Sequence, residues 1–393
     1  MSFFLWSLFI FGERIWKYGL VRRFFARPTP TATPPFTQTV SILQPILSGD
    51  PGLLSCLATN LRRKTAFATE FLWLVDENDP TAIAGCRQLI EQHSTANVRL
   101  LVYPPPPDGV NPKLFKLIAG LREARGELIA VLDDDTMLPD TAWEICAPYL
   151  DQAGVGLAFG LPYYVNFTNL WSALVAAFVN SFSLLTYVPY TYLRPPLTIN
   201  GMFYVTKRTT LDQIGGFAGL ENQLCDDYTV AQHFRNHGYT LVQTPLRHAI
   251  STHVRDAGHY LQILTRWLIF PQVSVMRRAA LSDQLLFYLL AFTPAFVPLL
   301  LVLALLIAPS VGLGLLGLIY LTLNAAILWD FNLRYLDQAT PRRGLPLLLL
   351  MQLLLPLHVI WALITPRRIN WRGHVMAVKK DGGFAFVQRR EDA

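Results

Sequence analysis

Three long apolar stretches near the C-terminus constrain the fold more than any other feature of this sequence. They cover residues 285–309, 311–329 and 344–366, and they are almost uncharged. Each is close to the ~20 residues that an α-helix needs to cross a bilayer core. Hydrophobic residues make up 52% of the chain and charged residues only 15%. A single stretch of this kind fits a buried core helix, but three in succession predict membrane helices over residues 283–366.

The N-terminal region gives a weaker membrane signal. Residues 2–11 are apolar but too few to span, and no small-residue cleavage site follows them, which argues against a signal peptide. We predict a membrane anchor and a proline-rich linker over residues 1–37, with the anchor lying in the interface. A spanning helix that includes residues 16–20 is the alternative, but it would bury charge. Three arginines would meet lipid headgroups: Arg22, Arg23 and Arg27.

The formal charge of +6 is concentrated beside the apolar stretches. Basic flanks mark the cytoplasmic side of a membrane segment, yet both ends of 344–366 are basic. Either this stretch is re-entrant or interfacial, or the basic tail at 367–393 is an exception to the rule. The basic residues show no aromatic interleaving on a soluble module, so we expect no nucleic-acid partner. Four scattered cysteines indicate neither a disulfide framework nor a zinc site.

The region before the apolar stretches alternates strands and helices. Buried strands are predicted at 40–45, 71–75 and 98–103, with helices between them, and a further strand at 126–132. This order predicts an α/β fold with a mostly parallel sheet and right-handed crossovers. Residues 170–192 are apolar but contain several polar groups, and we interpret them as a helix that lies on or dips into the bilayer.

Acidic residues follow two of these strands. Asp76 ends the second strand, and the run Asp133-Asp134-Asp135 ends the strand at 126–132. The carboxyl ends of parallel strands share one edge, where ligands bind in open α/β sheets. Adjacent carboxylates repel one another unless a cation neutralises them, and oxygen ligands suit Mg²⁺ or Mn²⁺ held together with substrate phosphates. The pattern favours a metal and diphosphate site; the alternative is a solvated acidic turn.

Other charged residues extend this candidate site. Lys113 lies in the first turn of a helix that begins at Pro112, where the helix dipole disfavours a cation, so it either faces an anion or is a surface lysine. The pair Asp226-Asp227 precedes an amphipathic run, which fits helix capping, although two acids exceed what one cap needs. The pair Arg266-Trp267 offers a planar cation for a diphosphate and a ring for an acceptor; an interfacial Trp–Arg pair is the alternative.

Several of these segments resemble a known family. Residues 40–54, 109–113 (Gly-Val-Asn-Pro-Lys), 155–163 and the Asp133 cluster look like the ceramide glucosyltransferase family and its bacterial relatives. These enzymes belong to the inverting GT-A glycosyltransferases, a nucleotide-diphospho-sugar transferase fold. The resemblance covers roughly residues 38–270. It implies a GT-A catalytic domain over 38–275, followed by the C-terminal transmembrane helices.

The resemblance also implies roles for individual residues. Asp76 matches the position that contacts the uracil or its ribose. Asp133 and Asp135 match an Asp-x-Asp for the metal, although the ceramide branch often carries only the first aspartate. Asp227 matches the catalytic base, preceded by Asp226 where the family usually has glutamate. Lys113 would supply charge to the phosphates.

The final motif of the family is less regular in this chain. Arg266 and Trp267 match its end, and Arg266 would add charge at the phosphates. The leading position, normally glutamine or arginine, is Ile263 here, and Gln262 lies one residue early. The role of Gln262 therefore stays open.

The sequence as a whole predicts a membrane-bound inverting glycosyltransferase. It would move a hexose, with glucose as the family's choice, from a UDP-sugar to a lipid hydroxyl such as that of ceramide, using Mg²⁺ or Mn²⁺. The catalytic domain would face the cytoplasm, and a bacterial cell membrane is favoured over the Golgi. The rivals are a processive polysaccharide synthase and a non-catalytic membrane scaffold with a decayed transferase domain. Galactose and N-acetylglucosamine remain alternatives to glucose as the transferred sugar, and other lipids remain alternatives to ceramide as the acceptor.

Overall fold

The computed structural model describes residues 2–30, 37–270, 279–365, 368–371, 373–379 and 383–388. Most of the predicted proline-rich linker, residues 31–36, lies outside these ranges. The described helices are α1 (Ser2–Phe25), α2 (Leu53–Leu61), α3 (Pro80–Gln92), α4 (Pro112–Glu123), α5 (Ala142–Leu150), α6 (Leu170–Thr191), α7 (Arg208–Gln213), α8 (Asp226–Asn236), α9 (Ala257–Phe270), α10 (Leu281–Phe287), α11 (Thr293–Ile307), α12 (Val311–Arg334) and α13 (Leu345–Ile364). The described strands are β1 (Thr39–Ile46), β2 (Ala68–Asp76), β3 (Val98–Tyr103), β4 (Leu128–Leu132), β5 (Thr136–Met137), β6 (Val155–Tyr164), β7 (Phe203–Lys207), β8 (Thr240–Ile250), β9 (Arg368–Trp371), β10 (His374–Val378) and β11 (Phe384–Gln388).

Eight strands form one mixed sheet in the order β3-β2-β1-β4-β7-β6-β8-β5. The half that contains β3, β2, β1 and β4 is parallel throughout. Strand β7 pairs antiparallel with β4 and β6, β6 pairs parallel with β8, and β5 pairs antiparallel with β8. The predicted α/β fold class with a mixed, mostly parallel sheet is confirmed.

Packing on both faces of the sheet explains where the acidic residues emerge. All five residues of β4 are buried. One face packs around Trp73 with α2, α3 and α5, and the other packs around Leu114 with α4, α7 and α8. A strand covered on both faces can carry charge only beyond its end. Strands β2 and β4 flank β1 in parallel, so Asp76 and Asp133 emerge at the same edge, as predicted.

The apolar stretches form helices where the sequence predicts them. Within the described ranges, three helices are long and apolar enough to cross a membrane: Leu170–Thr191, Val311–Arg334 and Arg342–Ile364. A fourth candidate is the pair Leu281–Ala291 and Pro294–Ile307, which is bent by 47° at its break. Of the three, Leu170–Thr191 is the most enclosed by the rest of the protein, with 67% of its apolar window buried. The predicted helix at 170–192 therefore packs largely against protein.

Helix α13 begins and ends beside the α/β domain. Before its start, Thr340 Oγ1 accepts a hydrogen bond from Asn180 Nδ2 of α6 at 3.1 Å. Along its length, His358 Nε2 lies 3.0 Å from the Tyr260 hydroxyl of α9. After its end, the chain enters β9, whose Ile369 packs on Leu224 and Ile269. The helix therefore runs along the domain, which agrees with the basic residues at both of its ends.

The N-terminal segment forms one continuous helix rather than a ten-residue apolar element. Helix α1 runs for 24 residues and includes residues 16–20, as in the alternative prediction. Its middle buries Arg14 and Lys17, each 2% exposed, and both cations form ion pairs with Glu13 of the same helix. The charge that made a longer helix unfavourable is therefore partly neutralised within α1 itself.

The two buried cations also donate hydrogen bonds to carbonyl groups on either side of the bend between α10 and α11. Lys17 Nζ donates to the Leu290 carbonyl, and the Arg14 guanidinium donates to the Pro294 carbonyl at 3.4 Å. In a regular helix these carbonyls would accept from the N–H groups four residues later, which are Pro294 and Pro298. Proline has no N–H. Helix α1 thus adds two hydrogen bonds at the bend between α10 and α11.

The segment predicted only as a basic tail contains a small sheet. Strands β9, β10 and β11 form an antiparallel three-stranded sheet with β10 in the centre. Its residues Ile369, Met376 and Phe384 make apolar contacts with Leu224 and Ile269. The C-terminal sheet, as we call residues 368–388, is therefore part of the folded structure around the site.

Candidate active site

A cavity of about 350 Å³ lies at the carboxyl ends of β1, β2 and β4. This volume is within the range of small-molecule sites, roughly 300–1,000 Å³. Every residue predicted for the site lines this cavity: Asp76, Lys113, Asp133, Asp135, Asp226, Asp227, Arg266 and Trp267. The fold therefore brings five separate segments of the sequence into one site.

Lys113 lies at the centre of an ionic network. Its Nζ is 2.8 Å from Asp133 Oδ1, 2.9 Å from Asp226 Oδ2 and 3.0 Å from the Gly201 carbonyl oxygen. Burial disfavours the ammonium group, but the surrounding carboxylates, Asp133 foremost, outweigh burial and raise the pKa of Lys113 well above its usual value. The cation therefore stays charged and joins the end of β4 to the start of α8.

Asp227 is held in place by Gly201. Its carboxylate accepts a hydrogen bond from the Gly201 backbone N–H. Burial, followed by the charge of the adjacent Asp226, raises the pKa of Asp227 well above its ordinary range. Both acids lie in the first turn of α8, and the N-cap position is Cys225. A carboxylate with a raised pKa in a cavity is suited to accept a proton during catalysis.

Replacing Gly201 with alanine should displace the Asp227 carboxylate. A Cβ atom at position 201 would lie 1.6 Å from Asp227 Oδ1, so the side chain must move. A displacement of about 1 Å at a reacting group can lower a rate about 100-fold, and we expect a loss of that size in sugar transfer. Gly312→Ala is the matched control, because nothing lies within 4 Å of a Cβ there. Equal rates for the two variants would contradict the positioning of Asp227 by Gly201.

Asp76 lies at the other end of the cavity with Lys116. Asp76 Oδ2 accepts a hydrogen bond from Lys116 Nζ at 2.8 Å, and the Lys116 ammonium also contacts the Ile46 carbonyl at 3.4 Å. Asp76 Oδ1 is buried and has no hydrogen-bond partner among the described residues. A buried carboxylate oxygen without a partner is unfavourable. This oxygen is therefore available to a donor group of a bound ligand.

The three consecutive aspartates have different surroundings. Asp134 Oδ2 accepts a hydrogen bond from the Leu47 backbone N–H at 3.0 Å, which ties the end of β4 to the end of β1. Asp135 Oδ2 accepts one from the Thr252 hydroxyl at 2.9 Å. Asp133 is paired with Lys113, as described above. All three aspartates line the cavity, and each has a different partner.

The site residues fit a metal that is shared with a substrate. Within the described residues, no group of three or more His, Cys, Asp or Glu side chains could hold a metal ion unaided. Asp133 and Asp135 offer carboxylate oxygens, the ligands that Mg²⁺ and Mn²⁺ prefer. These sites often use one or two carboxylates and take further ligands from substrate phosphates. The donor set therefore suits a divalent cation bound together with a diphosphate.

Trp267 connects the cavity to the apolar helices. Its ring packs edge-on against Tyr164 of β6 at a centroid distance of 5.9 Å, and it is tilted by 31° against Phe178 of α6 at 6.0 Å. Arg266, the preceding residue of α9, lines the same cavity. Arg266 and Trp267 can therefore belong to the ligand site and also lie near the membrane interface.

Both residues of the irregular final motif reach the cavity. Ile263 is buried and Gln262 is exposed, and each contributes to the lining. The polar side chain that the leading position lacks is therefore present one residue earlier.

Two functional candidates were missed in the sequence. Lys116 lies three residues after Lys113, a spacing that places both on one face of α4. This spacing could have identified Lys116 from the sequence. Asn111 caps α4 and donates from Nδ2 to the carbonyls of Gln223 and Leu224, each at 3.1 Å. An asparagine before proline at a helix start indicated the cap, but its contact with the segment before α8 depends on the tertiary fold.

The sheet order and the acidic edge define a nucleotide-diphospho-sugar transferase fold of the GT-A class. A similar solved structure is the mannosyltransferase PcManGT from Pyrobaculum calidifontis, in complex with GDP-Man and Mn²⁺. The TM-score is 0.50 at 17% sequence identity, and the likeness covers 91% of this chain and 95% of that one. The chain belongs to glycosyl transferase family 21, whose family profile matches residues 4–384.

Two relatives carry the name that the sequence resemblance suggested. Ceramide glucosyltransferase 1 of Caenorhabditis elegans is 24% identical over 215 residues, which cover 54% of this chain. The ceramide glucosyltransferase of Pyricularia oryzae (strain 70-15) is 26% identical over 147 residues, 33% of this chain. The matched regions span 44% and 30% of the two relatives. The predicted membership of the ceramide glucosyltransferase-like family is confirmed.

Proposed function

We propose that this chain is a membrane-bound, inverting enzyme that transfers glucose from UDP-glucose to the hydroxyl group of a lipid, with ceramide as the acceptor. The observation that carries this proposal is Asp227. It is a carboxylate with a raised pKa, fixed by Gly201 beside the Lys113 network. The choice of glucose and ceramide rests on the names of the two relatives.

The donor would lie across the edge of the sheet. Its uridine would donate a hydrogen bond to Asp76 Oδ1, which lies next to Lys116. Its diphosphate would lie near Asp133 and Asp135, which would hold Mg²⁺ or Mn²⁺ together with the phosphate oxygens. When bound, the metal would neutralise charge that develops on the leaving diphosphate. Lys113 would add a fixed positive charge next to the same group, and Arg266 would do so from α9.

The acceptor would reach the cavity from the apolar helices, past Trp267. Asp227 would accept the proton of the lipid hydroxyl as its oxygen forms a bond to the anomeric carbon. The bond between that carbon and the diphosphate oxygen breaks, and UDP leaves with the electron pair. Attack from the side opposite the leaving group inverts the anomeric configuration. The ion pair between Asp226 and Lys113 would hold Lys113 at a fixed distance from Asp227.

We place the catalytic domain on the cytoplasmic face of a bacterial cell membrane. Helix α12 ends with Arg334, and basic residues lie at both ends of α13. This arrangement agrees with the positive-inside rule if α13 lies along the membrane surface and α12 crosses the bilayer. Helix α12 and the bent pair Leu281–Ala291 and Pro294–Ile307 would then span, while α6 and α13 would lie beside the catalytic domain at the level of the lipid headgroups.

Sugar transfer by detergent-purified protein tests the proposal. We expect a labelled glycolipid from UDP-glucose, ceramide and Mg²⁺ or Mn²⁺, and loss of this product on chelation of the metal. UDP-galactose, UDP-N-acetylglucosamine, GDP-mannose and a total lipid extract are the comparison arms. Formation of a polymer without a labelled lipid would identify a polysaccharide synthase. Absence of UDP-sugar binding in the presence of metal would instead favour the scaffold alternative.

A further inference from the structure

The C-terminal sheet forms one wall of the active-site cavity. Its apolar face consists of Ile369, Met376 and Phe384, each only 2% exposed, and these pack on Leu224 and Ile269. Leu224 lies two residues before the acidic pair of α8, and Ile269 lies two residues after the tryptophan of α9. The sheet therefore packs on both segments that would contact the acceptor, the one with Asp227 and the one with Trp267.

Two polar side chains of this sheet line the cavity, Asn370 of β9 and His374 of β10. His374 lies two residues before Met376 on β10, so both project from the same face, and His374 lines the cavity. The imidazole packs edge-on against Phe386 at a centroid distance of 5.6 Å. In the adjoining turn, Gly373 has a φ of 91°, and its N–H donates to Asn370 Oδ1 at 3.3 Å. The turn and the neighbouring ring restrict the orientation of His374.

The sheet follows directly on an exposed apolar surface. The last two turns of α13 carry large apolar side chains that are about half exposed or more: Leu357, Ile360, Trp361, Leu363 and Ile364. Helix α13 ends at Ile364 and β9 begins at Arg368, so the connection spans at most about 14 Å. A lipid whose chains lie on this surface would therefore have its headgroup close to the C-terminal sheet.

We infer that His374 contacts the polar headgroup of the lipid acceptor and helps to hold its hydroxyl near Asp227. The inference rests on the proposed function. An imidazole can donate one hydrogen bond and accept another, which suits a headgroup with hydroxyl and amide groups. On one side the sheet contacts the segment that carries Asp227, and on the other it continues from the apolar surface of α13. The nucleotide end of the cavity, at Asp76, is formed by other elements.

Kinetics of His374→Ala test this inference. We expect the KM for a short-chain ceramide to rise about tenfold, while the KM for UDP-glucose and the affinity for UDP change by less than about twofold. The more conservative His374→Gln should recover part of the acceptor affinity, because it retains a hydrogen-bonding group. Gln388→Ala is the matched control: Gln388 is exposed on β11, pairs with Val375 and does not line the cavity. A melting temperature for each variant establishes that it is folded.

A second measurement does not depend on turnover. A photoreactive ceramide should label the peptide that contains residues 368–379 in the wild type, and UDP-glucose should not be required for labelling. An unchanged acceptor KM in His374→Ala, or label found only elsewhere, would overturn the inference. An equal loss of donor and acceptor affinity would overturn the assignment to the acceptor. If the wild type transfers no sugar but still places the label on this peptide, the proposed reaction fails while the lipid contact stands.

Discussion

Replacement of Asp227 by asparagine should lower the rate of sugar transfer about 1,000-fold. The amide has nearly the same shape and can still accept the hydrogen bond from the Gly201 N–H, so the site should keep its geometry. It cannot take the proton of the acceptor hydroxyl, because an amide is not basic at neutral pH. Turnover of UDP-glucose with saturating ceramide and metal measures the effect.

The control for this variant is Asp212→Asn on α7, where the aspartate is exposed and does not line the cavity. We expect wild-type turnover from the control, and wild-type affinity for UDP-glucose from Asp227→Asn. The combination would show that the lost step is proton transfer rather than donor binding. Retention of at least a tenth of the wild-type rate in Asp227→Asn would mean that another group is the base.

Replacement of Lys113 by methionine should affect stability as well as activity. The change keeps the length of the side chain but removes the cation shared by Asp133 and Asp226. Loss of one partner from a buried ion pair leaves uncompensated charge, and we expect a destabilisation of about 3 kcal/mol. For a domain of this size that corresponds to a fall in melting temperature of roughly 6–12 °C. Sugar transfer should fall at least about 100-fold, since a fixed charge at the diphosphate is lost.

Lys207→Met provides the comparison for Lys113. Lys207 pairs with Asp151 at 2.7 Å, but the two side chains are 31% and 61% exposed. Exposed pairs of this kind contribute about 0–1 kcal/mol. Thermal unfolding of both variants in the same detergent, with and without Mn²⁺, makes the measurement. If Mn²⁺ restores part of the lost stability in Lys113→Met, it also supports metal binding at Asp133. Equal melting temperatures for the two variants would contradict the central role of Lys113.

The part of the site that the sequence predicts is the part that local pattern determines. Strand β4 is apolar throughout and then stops at three acids, so its end could be located without knowledge of the fold. Parallel pairing then requires Asp76 and Asp133 to share an edge. Asp226 and Asp227 were likewise placed at a helix start by the amphipathic run that follows them. These predictions needed only periodicity and the direction of the strands.

The remaining features depend on contacts between distant segments. The sequence cannot show that Asn111 reaches the carbonyls of Gln223 and Leu224, because that contact joins α4 to a loop more than 100 residues later. The C-terminal sheet was interpreted as a tail for the same reason: its strands are short, and their burial comes from Ile269 and other residues of the catalytic domain. The charge within α1 made a short anchor the simpler prediction, because the distant carbonyl groups that bind Arg14 and Lys17 could not be identified from the sequence.

Those partners impose an order on how the protein is assembled. The carbonyl that binds Lys17 belongs to Leu290, 273 residues further along the chain, and the carbonyl that binds Arg14 lies 280 residues away. At about 5–20 residues per second, the ribosome makes these groups roughly 15–55 seconds after α1 has emerged. During that interval the cations of α1 lack these carbonyl partners and have only Glu13, water or lipid phosphates. Helix α1 therefore reaches its final environment only after Leu290 has been made, and a nascent chain that stops before Leu290 would leave it without these contacts.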